Sequence, residues 1–120
     1  MKAFLICPDL KAVIPIDIDP VDPLSDIRKR MGCKWVEQTM FTVGNDLLLD
    51  EDGKMKYPNE QGYFLLPGFH QIIAGYAVVI GTRQYEWCDS DLTLEQVKHE
   101  LIWCKPTKEV VRQSATFLWG

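Results

Sequence analysis

The chain has 120 residues, a hydrophobic fraction of 47%, a charged fraction of 25% and a formal net charge of −4. This length suits one domain with a substantial core, and the composition excludes an intrinsically disordered chain. The negative charge argues against nucleic acid as a partner, because phosphate backbones are bound by clustered Lys and Arg.

The N-terminal sequence lacks the pattern of a signal peptide, since only five apolar residues separate Lys2 from Pro8. No apolar run approaches the roughly twenty residues of a membrane span. We therefore expect a cytoplasmic protein that does not enter a membrane. Its four cysteines should be reduced there, and no C-x-x-C pair joins them, so buried thiols are favoured over a zinc site. The sequence predicts no metal and no cofactor.

The first half of the chain begins with Lys2–Cys7, whose two apolar faces predict an interior strand. Pro15 lies within the next strand, Ala12–Ile18, and places it at a sheet edge. Asp22 and Pro23 then predict a helix start, and Gly32 predicts its left-handed stop.

Arg28 and Arg30 lie in the last turn of that helix. We favour the interpretation that these cations compensate the helix dipole, and the alternative is that they form an anion-binding patch. Alternation over Lys34–Phe41 predicts a half-buried strand. Asp52-Gly53 predicts a tight turn between Leu47–Leu49 and Lys54–Tyr57.

The stretch from Tyr63 to Thr82 is the best candidate for the centre of the sheet. Its two apolar runs, Tyr63–Leu66 and Tyr76–Ile80, have the length and composition of buried strands. The loop between them holds His70, which is a candidate for ligand contact. Arg83–Trp87 is a candidate for a short hairpin return.

A second helix is predicted after Cys88–Asp91, with Ser90, Asp91 and Thr93 as candidate caps, and Thr93 can form a capping box with Gln96. It is expected to run through Cys104 to a stop at Pro106. Residues 107–120 are too apolar for a loose tail and should pack on the domain or on a partner. The fold class predicted is α+β, with a mixed, mostly antiparallel sheet of five to six strands and two helices packed on it. Residues 1–104 would form a single compact domain, and 105–120 an extension.

Motifs for catalysis are not found. Asp50–Gly53 is dense in carboxylates, but Met55 stands where an EF-hand requires glycine. His70 has no nucleophile motif near it, and no glycine spacing matches a phosphate loop. The sequence thus predicts no catalytic residues and no enzyme. The candidate ligand- or partner-binding residues are Tyr57, Asn59, Phe69, His70, Gln71, Arg28, Arg30, Phe117 and Trp119.

Several short segments, taken in their order along the chain, resemble a known protein family. They are Met1–Ala3, Gly32-Cys33, Asp46–Gly53, Gly68–Gln71, Ala74-Gly75, Val78–Gly81 and Leu92–Val97. Over about residues 1 to 104 the chain resembles the small phage, plasmid and bacterial proteins grouped as domain of unknown function 3846. The resemblance implies a bacteriophage or mobile-element context, and no activity or site residues.

Two functions are favoured after these observations, and an enzyme that uses the carboxylates and His70 as acid and base ranks third, because no spacing supports a particular reaction. The first is a non-enzymatic interaction protein that binds or inhibits a host protein, or binds a second copy of itself, through exposed aromatic residues and the C-terminal extension. The alternative is a ligand-binding module that sequesters a nucleotide or another small molecule. That pocket would combine the Gly68–Gly75 loop with Tyr57, Asn59 and the Arg28–Arg30 helix end.

Overall fold

The structure is a computed structural model that describes residues 1–53, 62–69 and 71–104. The described residues form nine strands, two α-helices and a short 3-10 helix at Pro67–Phe69. The strands are β1 (Lys2–Cys7), β2 (Ala12–Asp17), β3 (Val36–Thr42), β4 (Asn45–Asp50), β5 (Tyr63–Leu66), β6 (Gln71–Ala74), β7 (Ala77–Arg83), β8 (Glu86–Cys88) and β9 (Ile102–Cys104). The helices are α1 (Pro23–Met31) and α2 (Leu94–His99).

Strand β7 is the centre of the main sheet, whose order is β2-β1-β7-β4-β3. Its residues Ala77 to Ile80 are wholly buried, as expected for an apolar run covered on both faces. β1 pairs with this first part of β7, and β8 pairs with the remaining part, from Gly81 to Arg83. The turn from β7 to β8 uses positive φ angles at Gln84 and Tyr85, as a two-residue hairpin requires.

A second sheet, with the strand order β6-β5-β9, shares no strand pairing with the main sheet among the described residues. Its Phe64 and Ile73 share a buried cluster with Phe4 of β1 and Val97 of α2. On the opposite face of the main sheet, Ile27 of α1 packs in a cluster with β-strand residues. The main sheet is therefore a central layer, with α1 on one side and the second sheet with α2 on the other.

Local signals in the sequence determine α1. Asp22 accepts a hydrogen bond from the backbone N–H of Ser25, and Gly32 ends the helix with a φ of 65°. Asp26 then ties the helix to the preceding loop, because it accepts hydrogen bonds from the N–H of Asp19 at 2.8 Å and from Nε of Arg30 at 3.1 Å. The predicted start and stop of this helix are confirmed.

The predicted α+β class, with mostly antiparallel pairing and two helices, is confirmed. Each pairing between described strands is antiparallel, but the strands divide between two sheets. Tyr63–Leu66 is the middle strand of the smaller sheet and does not flank β7. The prediction for α2 is correct at its capping box and wrong at its end, because the helix stops at His99 and Ile102–Cys104 is a strand paired with β5. The strand predicted over Lys54–Tyr57 lies outside the described residues.

Candidate functional site

A cleft of about 490 Å³ opens beside the C-terminal end of α1. One wall comes from the helix end and the turn after it, and the other comes from the end of β4 and its turn. The two walls are joined where the N–H of Glu51 donates a 3.0 Å hydrogen bond to the carbonyl of Trp35. The lining residues are Arg28, Lys29, Gly32, Cys33, Lys34, Asp50 and Asp52.

Arg28 is the distinctive side chain of this cleft. Its guanidinium carbon lies 5.6 Å from the centroid of the Trp35 ring, which is a cation–π distance. Its Nε is buried and has no hydrogen-bond partner among the described residues. A buried donor without an acceptor is costly, so such a group calls for an explanation in a native structure.

Arg30 has a different role from Arg28, although only one residue separates them. Its Nε bonds to Asp26, and its Nη2 donates a 2.9 Å hydrogen bond to the carbonyl of Asp17. Arg30 is not among the residues that line the cleft. The two arginines proposed from the sequence as one patch therefore have separate surroundings, and only Arg28 lines the cleft.

A row of polar side chains crosses the main sheet on the face that α1 covers. Ile6 of β1 and Leu49 of β4 both pair with Ala77 of β7. One residue further along each strand, Cys7, Tyr76 and Asp50 therefore lie side by side. Burial, then hydrogen bonding to Asp9 and its charge, raise the pKa of Tyr76 to about 12. Burial and the nearby Asp9 also raise the pKa of Cys7. Both groups therefore stay protonated at neutral pH, which does not suit a nucleophile.

The outer edge of β3 is a second candidate surface. β3 ends the order of the main sheet, so no described strand pairs with its outer side. Large apolar side chains are exposed within it and beside it. Met40 in the strand is 56% exposed, and Trp35 just before it and Val43 just after it are 53% and 91% exposed. The opposite edge strand, β2, instead carries Pro15, which obstructs the pairing of a further strand.

A second concavity, of about 550 Å³, lies between α2 and the end of β3. His99, Glu95 and Glu100 line it together with Thr42, Leu92 and Gln96. In the described part of the chain, no three His, Cys, Asp or Glu side chains are grouped so that they hold a metal ion. This acidic groove carries no chemistry beyond that of a solvated helix face.

Most site residues predicted from the sequence lie elsewhere or outside the described residues. Phe69 ends the 3-10 helix and Gln71 begins β6, so the predicted loop is interrupted by secondary structure. Sequence reasoning placed Lys29 in the possible anion patch and Trp35 among the aromatic residues that could stack a base, but it did not select Lys34 or bring the three together, because their convergence depends on the turn at Gly32. The site residues outside the described part of the chain are Tyr57, Asn59, His70, Phe117 and Trp119.

Comparison with known proteins identifies a family without adding an activity. Within the described residues, neither helix has the length and apolar character needed to cross a membrane. No curated protein and no solved structure matches the chain. A family model matches residues 1–103, which is most of the sequence. The chain therefore belongs to the family described as Domain of unknown function (DUF3846).

Proposed function

We propose that this protein is a non-enzymatic, cytoplasmic interaction protein that binds an extended segment of another protein along the outer edge of β3. The observation that carries the proposal is the exposed edge itself. Its backbone groups have no described strand beside them, and Met40 is exposed within the strand. An added strand would hydrogen-bond to the backbone and cover Met40.

The charge of the edge indicates the kind of segment that would bind. Glu37 is the single charged residue of β3, and the chain as a whole carries a net charge of −4. A segment with alternating apolar residues and a Lys or Arg opposite Glu37 would complement this edge. The family resemblance to phage and mobile-element proteins makes a host protein the favoured source of that segment.

Site-specific photo-cross-linking tests the proposal. A photoreactive residue at Met40 should capture a partner from a lysate of the host cell, and the same residue at Tyr85 provides the control. Tyr85 is fully exposed, but it lies on the turn between β7 and β8. The captured protein is then purified, and its affinity is measured for the wild type and for Met40→Lys.

The proposal requires cross-links at Met40 that are absent at Tyr85, and at least about a tenfold loss of affinity in Met40→Lys, since a lysine on an edge opposes strand addition. Capture at both positions alike, or unchanged affinity in Met40→Lys, would refute it. If the captured protein is a second copy of this chain, the host-protein part is wrong and the edge is a self-association surface.

A further inference from the structure

The cleft beside α1 has the features of a ligand site distinct from the β3 edge, although Trp35 lies beside both. Arg28, Lys29 and Lys34 bring three cationic side chains to its helix-side wall. No ion pair or hydrogen bond of these three side chains is found with the described residues. Arg30, on the same helix, is instead paired with Asp26.

The position of Arg28 is held without using its hydrogen-bond donors. The Trp35 ring supports the guanidinium by a cation–π contact, which leaves the N–H groups unused. One of them, at Nε, is already buried and so has lost its water without gaining an acceptor. The terminal N–H groups of the same guanidinium are held in place by the Trp35 contact, so an acceptor that enters the cleft would meet pre-oriented donors, which favours binding.

The charges around the cleft select the class of ligand. Phosphate monoesters carry close to two negative charges at neutral pH and accept hydrogen bonds in the fork geometry that arginine offers. The second wall carries the exposed carboxylate of Asp52, which repels anions and suits hydroxyl or amino groups. A volume of about 490 Å³ is within the range of small-molecule sites and is larger than inorganic phosphate needs.

The geometry points to a binding site for a small organic phosphate, with the phosphate on Arg28, Lys29 and Lys34 and a hydroxyl- or amine-bearing group toward Asp52. A nucleoside 5′-monophosphate satisfies each of these requirements.

Calorimetric titration of the full chain tests this assignment. The ligands are adenosine and guanosine 5′-monophosphate, ribose 5-phosphate, inorganic phosphate and the two unphosphorylated nucleosides. We expect at least one organic phosphate to bind, with its unphosphorylated counterpart and inorganic phosphate each weaker by about tenfold or more.

Variants locate the site. Arg28→Gln and Lys34→Gln should each lower the affinity, the first by about tenfold or more, because it removes a charged hydrogen-bond donor. Arg30→Gln is the matched control on the same helix and should leave the affinity unchanged, because Arg30 does not line the cleft. Arg28→Lys keeps the charge, loses the fork and should give an intermediate affinity.

Several outcomes would overturn the assignment. They are the absence of binding by every organic phosphate, equal binding of inorganic phosphate, and equal losses in Arg28→Gln and Arg30→Gln. Thermal unfolding of each variant without ligand identifies any that do not fold. If Arg28→Gln is one of these, Lys34→Gln decides the test, since Lys34 is exposed and lies outside both helices and strands. Cross-linking at Met40 is scored separately, so failure of one proposal leaves the other measurable.

Discussion

The hydroxyl of Ser90 donates a 2.6 Å hydrogen bond to the side-chain oxygen of Asn45, although 45 residues separate the two in the chain. The amide nitrogen of Asn45 donates in turn to Asp91 at 2.8 Å and to Thr42 at 3.2 Å. Asn45 is fully buried at the start of β4. Hydrogen bonds of its side chain therefore hold the segment before α2 against the end of the main sheet.

Replacing Asn45 by Ala should destabilise the protein strongly. The change removes three hydrogen bonds and leaves the hydroxyl of Ser90 buried without its acceptor, so we expect a loss of about 2–4 kcal/mol in the free energy of unfolding. Urea denaturation measures this loss. Thr42→Val removes only the longest of the three bonds and should cost about 1 kcal/mol. Equal losses in the two variants would contradict the central role of Asn45.

Replacing Gly81 by Ala should be among the most damaging changes of a single methyl group. A Cβ at Gly81 would lie far inside van der Waals contact with the carbonyl oxygen of Asp89, which belongs to the backbone and cannot turn away. We expect a loss of about 3 kcal/mol or more, measured by thermal or urea unfolding.

Gly68 provides the matched control for Gly81. A Cβ at Gly68 has no heavy atom within 4 Å, so Gly68→Ala should change stability by no more than about 0.5 kcal/mol. Similar losses at the two glycines would show that the close approach of Asp89 to β7 does not limit this position.

Asp26 should make the free energy of unfolding depend on pH in the acidic range. Its hydrogen bond from the N–H of Asp19, with the nearby Arg30, lowers the pKa of Asp26 below its ordinary value. A lowered pKa in the folded state gives stability that is present above the ordinary carboxyl pKa and is lost as the pH falls through the lowered value.

Asp26→Ala should therefore be less stable than the wild type at neutral pH by about 1–2 kcal/mol, and the gap should narrow in acid. Urea titrations at neutral and acidic pH measure it. Lys98→Ala is the control, because its ion pair with Glu95 spans 3.8 Å at an exposed site and should contribute little. A gap of constant size at every pH would rule out the carboxylate charge as its cause.

Tyr76 should make the free energy of unfolding fall as the pH rises in the alkaline range. Burial, with the hydrogen bond to Asp9, raises its pKa to about 12. A raised pKa gives stability that is complete below the ordinary tyrosine pKa of about 10 and is lost as the pH rises through about 12. The difference between wild type and Tyr76→Phe isolates this contribution from other groups that titrate there.

We expect Tyr76→Phe to cost about 1 kcal/mol at neutral pH, because it removes the bond to Asp9, and to lose less stability than the wild type above about pH 10. Urea titrations at neutral and alkaline pH measure both effects. Tyr85→Phe is the matched control, since Tyr85 is fully exposed. Identical alkaline losses in the wild type and Tyr76→Phe would contradict the assignment.

Features determined by neighbouring residues could be predicted from the sequence. Asp22 and Gly32 bound α1, and Thr93 with Gln96 begins α2, because each signal acts within one helical turn. The end of α2 could not be predicted in this way. The stretch after His99 keeps helical spacing, but Ile102–Cys104 gains backbone pairing with β5, which lies far away in the sequence.

The candidate site shows the same division between local and distant determinants. Arg28 could be identified as a helix-end cation, and the sequence also indicated that this role is commonly one of dipole compensation. Its pairing with Trp35 follows from the turn at Gly32 and from the hydrogen bond between Glu51 and Trp35. Periodicity does not encode either contact, so the cleft became apparent only in three dimensions.

The late position of β7 in the chain has a consequence for folding during synthesis. The hairpin of β1 and β2 can form as soon as both strands leave the ribosome, but the other side of β1 pairs with residues 77–80. The second edge of β1 is therefore paired only when a strand more than seventy residues later has been made. Such long-range pairing slows folding, and until it forms, one edge of β1 and its apolar side chains stay uncovered on the nascent chain, where a chaperone can bind them.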